Sequence, residues 1–192
     1  HLLVDRYIAA IDAKGVISTG HSALERLPDL YISHYPAVEV DHSPDDFTAL
    51  LRAGPENDIP GKWQPDHAFE VAQWCEADQR VQFHYYNAGA LERFWSGYRV
   101  DATYNLTSRS CSTVTALAIE SALEGALTSK RPMLRFLRLL SDPNLWTAAM
   151  LRRRGATMAW TPGLVLDYAR LLRVIVGHPD AASHAASAGD IG

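Results

Sequence analysis

The side chains of this 192-residue chain best suited to covalent chemistry are two cysteines, Cys75 and Cys111, and eight histidines. Cysteine attacks a carbonyl carbon well only as the thiolate, so its surroundings decide between a nucleophile and a small core residue. Cys111 follows a polar, loop-like segment, Tyr104-Asn105-Leu106-Thr107-Ser108-Arg109-Ser110. It precedes an apolar stripe of Ala116, Ile119, Leu123 and Leu127 at helical spacing. The spacing predicts a helix from Ser112 to about Leu127 with Ser110 as N-cap, which puts Cys111 in the first turn. There, unpaired backbone N–H groups and the helix dipole favour negative charge, and the same N–H groups can receive an oxyanion. The competing reading, a buried filler, is the common fate of a free cysteine; the polar lead-in favours the nucleophile.

A thiolate also needs a proton acceptor nearby. His21 stands on an expected strand directly after Gly20, and His34 on the strand expected to pair with it. His84 lies on a later strand, Arg80–Tyr86. His42 and His67 fall in loops, while His1, His178 and His184 lie towards the ends. Periodicity alone leaves His21 and His84 both open. A Cys/His/His set is also a zinc-ligand set, but no Cys-x-x-Cys or His-x-x-x-His pair occurs, so neither metal nor cofactor is expected. There is no glycine-rich phosphate loop and no Gly-x-Ser-x-Gly elbow.

Leu2 to Ile17 predicts a strand or short hairpin, His21–Glu25 a strand, Leu27-Pro28-Asp29 a turn, and Leu30–Tyr35 a strand stopped by Pro36. Asp41 to Trp74 is punctuated by prolines and glycine and reads as irregular, with one short helix around Asp45–Arg52 capped by Ser43. This long loop, with Trp63 and Trp74, is the expected substrate-covering element. Asn87 caps a helix from Ala90 to Val100. After Ser129, helices are expected over Pro132–Leu140, Pro143–Arg154 and Pro162–Val176, each with proline in its first turn. The small, polar stretch Ala181–Gly192 reads as a disordered tail.

Charge is unevenly spread. Lys130 to Arg173 holds nine basic residues and two acids, a local charge of +7, whereas the rest of the chain holds nine basic and twenty acidic residues, −11. Such a lobe suits an acidic partner or membrane surface, or packing on the chain's own acidic part. Aromatics are not interleaved with the basic run as single-strand platforms require, and the chain as a whole carries −4, so nucleic acid is not an expected partner. No run of about eighteen apolar residues occurs. The chain begins with His1 and reads as a domain of a longer protein.

The segments Gly20-His21-Ser22-Ala23-Leu24, Leu30-Tyr31-Ile32-Ser33-His34-Tyr35-Pro36 and Asn105…Ser110-Cys111-Ser112 resemble the circularly permuted papain-like families. These include the lecithin–retinol-acyltransferase-like enzymes and permuted relatives of NlpC-type peptidases. The resemblance covers roughly Gly15 to Gly125. It implies Cys111 as nucleophile, His21 as base and His34 as the group that orients His21, with Glu39 or Asp41 as alternatives. Ser110 stands where many relatives carry asparagine, which leaves Tyr104 and Asn105 as candidates for the oxyanion side chain. A bacterial source, and attachment to a membrane-bound or exported protein, are likewise only what the resemblance implies.

The expected fold is α+β and papain-like in permuted order: a small antiparallel sheet carrying His21 and His34, packed on the Cys111 helix. Residues 1–128 form the catalytic domain, 129–180 a helical extension packed on it, and 181–192 the tail. The expected activity is thiol-dependent hydrolysis of an amide bond through an acyl-enzyme, with a peptide or acylated substrate. Lipid acyl transfer or thioester hydrolysis at the same site is the alternative. A further alternative is a non-catalytic module docking a membrane or partner through the basic C-terminal helices.

Overall fold

The computed structural model describes residues 1–7, 20–38, 52–126 and 140–177. The described residues form a mixed α+β structure with a small antiparallel sheet and five α-helices. Strands β1 (Leu2–Tyr7), β2 (His21–Arg26), β3 (Leu30–Ile32) and β6 (Gln79–Phe83) form a four-stranded sheet in the order β3-β2-β1-β6. Strands β4 (His34–Pro36) and β5 (Gly61–Trp63) form a separate two-stranded ribbon. The helices are α1 (His67–Gln73), α2 (Ala88–Tyr98), α3 (Cys111–Ala122), α4 (Pro143–Thr157) and α5 (Pro162–Val176).

Register decides which face each strand residue takes. Val4 pairs with Leu24 on one side and Val81 on the other, and Leu2 pairs with Phe83. These side chains therefore share one face, because neighbours across a sheet point the same way. That face buries Leu2, Val4, Leu24, Ile32, Val81 and Phe83 against Val114 and Ile119 of α3 and Val165, Ala169, Leu172 and Ile175 of α5. Helix α5 thus lies in the same core as the sheet. The other face of β2 and β3 carries Ala23 and Tyr31 under Trp74, Cys75 and Ala77, so His21, Ser22, Ala23 and Leu24 are all buried.

The caps follow local chemistry. Ser110, Asn87, Asp142 and Thr161 each accept a backbone N–H in the first turn of the helix they precede. Pro143 and Pro162 occupy the first helical positions. The hairpin expected to place His21 and His34 on one sheet is cut short. Strand β3 ends at Ile32, and the chain passes through Ser33 into the ribbon with β5. The 41–74 region, expected to be irregular, contains β5 and α1. Most of the expected helices over 45–52 and 132–140 and the whole tail lie outside the described residues, as do Glu39 and Asp41.

Candidate active site

Cys111 is the first residue of α3, and His21 the first of β2. The two elements are stitched beside the pair. Ser22 Oγ lies 3.1 Å from Ser112 Oγ, and Thr115 Oγ1 donates to the Ser22 carbonyl at 3.4 Å. Ser112 and Thr115, three residues apart, face the strand together. The Cys111 thiol hydrogen-bonds His21, receives the Ser22 backbone N–H, and has Ser112 Oγ at 3.7 Å. Ser110 Oγ takes the Thr113 N–H, and Val114 N–H opens the helical ladder to the Ser110 carbonyl. The Cys111 and Ser112 amides therefore have no intrahelical acceptor and lie beside the thiol.

The orienting carboxylate is Glu70, in the middle of α1. Its Oε1 lies 3.1 Å from His21 Nε2, and Ser33 Oγ lies 2.8 Å from the same nitrogen. Nδ1 is then the nitrogen left for the thiol. Glu70 is almost wholly buried, accepts the hydroxyls of Tyr31 and Tyr35 (2.8 Å for the latter), and bonds Ser33. Tyr35 also stacks on the imidazole, with ring centroids 4.3 Å apart, and Trp74 meets it edge-on at 6.2 Å.

These contacts set the charges. Burial works against ionising any of the three groups. Attraction and hydrogen bonding between Cys111, His21 and Glu70 override it. His21 is raised to about 9 by Cys111 and Glu70. The Cys111 thiol is lowered to about 7, chiefly by His21. Glu70 is held down at about 2, again chiefly by His21 and then by Tyr31 and Ser33. The cluster favours thiolate beside imidazolium beside carboxylate.

His34 does not join this chain. Continuing the β2–β3 register opposes His21 to Tyr35, so His34 points to the other face. Its ring stacks on Trp63 at 4.0 Å, its Nε2 lies 3.1 Å from the Ala102 carbonyl oxygen, and its buried Nδ1 has no hydrogen-bond partner among the described residues. Burial lowers it to about 4, so Nε2 carries the hydrogen and donates to Ala102. Gly61 permits this approach, since a Cβ there would lie 2.5 Å from His34 Nε2 and 2.1 Å from the Ala102 oxygen. His34 therefore braces the 102–104 segment, and the carboxylate that orients His21 comes from α1.

Tyr104 and Asn105 separate as well. Asn105 is fully buried and committed: Nδ2 donates to Asp58 (2.8 Å) and the Gly54 carbonyl (3.2 Å), while Oδ1 accepts from Thr107 and Ser108 N–H. It shapes the lead-in loop and has no donor left for an oxyanion. Tyr104 is buried against His34, its ring centroid 5.0 Å away, and lies near enough to Cys111 to feel its charge. Burial first, and that charge second, push its phenol far up, so it remains an O–H donor. A shallow groove of about 510 Å³ adjoins it, lined by Asp58–Gly61 and Val100–Thr103.

The remaining candidates are spread out. His84 is exposed and edge-on to His1, and His67 lies 3.7 Å from Asp5. Cys75 and Cys111 are both free thiols. Trp63 packs in the ribbon against His34, Trp95 and Tyr98, so of the two tryptophans expected over the site only Trp74 touches it. Among the described residues no group of three His, Cys, Asp or Glu side chains is arranged to hold a metal ion. Sequence reading missed Glu70. The available signal was Asp66, whose side chain caps α1 through the Phe69 N–H, followed by seven residues free of glycine and proline.

No family model matches the chain, and no curated protein or solved structure matches it either.

Proposed function

We propose that this chain is a thiol-dependent hydrolase that cleaves an amide bond through an acyl-enzyme on Cys111, in a permuted papain-like arrangement. The observation that carries the reading is the buried relay from Glu70 through His21 to Cys111 at a helix N-terminus. Structural cysteines rarely combine a lowered thiol pKa, an imidazole partner and a buried carboxylate behind that imidazole.

In this mechanism the Cys111 thiolate attacks the carbonyl carbon. Negative charge develops on the carbonyl oxygen within reach of the Cys111 and Ser112 amides, and the Tyr104 hydroxyl is the side-chain donor. Imidazolium His21 gives its proton to the leaving amine, the C–N bond breaks, and an S-acyl enzyme remains. Neutral His21 then takes a proton from water, which attacks the thioester, releases the acid and restores the thiolate. Glu70 stays ionised and holds the imidazole edge towards the thiol.

A chromogenic ester and a panel of peptide anilides test this reading. The wild type should release chromophore in a burst, carry the acyl group on Cys111 by intact mass, and turn over. Cys111→Ala should do none of these. Turnover that survives in Cys111→Ala counts against the assignment.

A further inference from the structure

Helix α4 carries a surface that the catalytic cluster does not use. Trp146 and Met150, one turn apart, are 56% and 70% exposed. Arg153 and Arg154 are exposed a further turn along that side of the helix. Opposite them, Ala148 and Gly155 are buried and Arg152 reaches back to Glu120 of α3 at 2.7 and 3.1 Å. Gly155 lies flush against the Trp160 ring, since a Cβ there would sit 2.4 Å from it. One face thus anchors the helix and the other is presented outward. Leu140 and Met158, which flank the helix, are also exposed. Among the described residues neither the Arg153 nor the Arg154 guanidinium has an ion-pair or hydrogen-bond partner. The preceding stretch 127–139 contains Lys130, Arg131, Arg135 and Arg138 and no acid.

We infer that this outer face of α4 docks on an anionic lipid surface. Tryptophan and methionine gain by entering the interfacial layer, and arginines beside them pair with headgroup phosphates, so the two chemistries act on one occupant. A second copy of the chain fits worse, because a two-fold contact through this face brings both copies' Arg153 and Arg154 into one interface and α4 carries no acid to pair them. The apolar pair at the front separates a bilayer from an acidic protein surface, which would need only the cations. Among the described residues no helix is long and apolar enough to cross a membrane, so these residues would attach at the surface.

Co-sedimentation of the whole chain with vesicles tests the inference. Phosphatidylcholine vesicles are compared with vesicles that also contain phosphatidylglycerol. Binding should require phosphatidylglycerol and weaken as salt is raised. Arg153→Gln with Arg154→Gln should lower partitioning about fivefold per arginine. Trp146→Ser with Met150→Ser should lower it too, with melting temperature and the Cys111 alkylation profile unchanged in both variants. Absence of phosphatidylglycerol-dependent pelleting, or pelleting of either double variant equal to that of the wild type, overturns the proposal. Light scattering that shows a dimer dissolved by the Trp146/Met150 double variant would assign the face to a second copy and also overturn it.

Discussion

Glu70 Oε1 lies 3.1 Å from His21 Nε2, on the imidazole nitrogen that Ser33 also reaches, and both partners are almost wholly buried. One carboxylate in the middle of a seven-residue helix therefore governs a histidine at the start of a strand. Glu70→Gln keeps the shape and removes the charge. The imidazolium loses its support, and the pH at which Cys111 becomes reactive should rise by about 1–3 units. Thiol alkylation followed by peptide mass spectrometry reads this shift; an unmoved profile would mean that Glu70 is only a packing partner.

His34 predicts the opposite pattern. Its folded pKa, lowered by burial to about 4, lies below its ordinary value of 6.5. The unfolded chain then binds the extra proton more readily, and the stability gained from neutral His34 is present above pH 6.5 and lost as pH falls towards 4. The loss is about 3 kcal/mol at the acid end. His34→Gln should flatten the pH dependence of the unfolding free energy, measured by urea denaturation, between those pH values and leave the Cys111 alkylation profile in place.

Glu70 adds a second acid-sensitive contribution at lower pH. Its folded pKa of about 2 lies below the ordinary 4.5, so its stabilisation is complete above pH 4.5 and is lost as pH falls towards 2. Denaturation curves should therefore show two successive losses on acidification. Glu70→Gln should remove only the lower one.

Asn105 and Tyr104 are adjacent in sequence but differ in role. Asn105→Ala removes four hydrogen bonds from a buried loop and should lower stability by about 2–4 kcal/mol, measured by thermal or urea unfolding. Tyr104→Phe should leave unfolding nearly unchanged. If its hydroxyl meets the oxyanion, kcat should fall about 10²-fold or more with little change in KM.

What the sequence made legible was local. Ser110 as cap, Cys111 in the first turn, Asn87 as cap and the prolines of α4 and α5 all depend on residues within one turn of each other. What it hid was non-local. The three-residue turn at 27–29 sets Leu30 opposite Arg26, and that register opposes His21 to Tyr35. A one-residue difference in register sends His34 to the other face. Glu70 was obscured because Pro60, Gly61 and Pro65 made the segment read as loop. Its partners Tyr31, Tyr35 and His21 lie 35 or more residues away in sequence, and only the fold joins them.

The catalytic reading of the site requires that Cys111 and His21 form a thiolate–imidazolium pair. Its most direct test is the rate of Cys111 alkylation by iodoacetamide against pH, in a Cys75→Ser background, with and without His21→Ala. Wild type should reach half its maximal rate near pH 7, where the lowered thiol ionises, and His21→Ala should shift that midpoint to about 8.5 or above. Parallel curves rising together near the ordinary thiol value would contradict the pair, and with it the catalytic reading of the site.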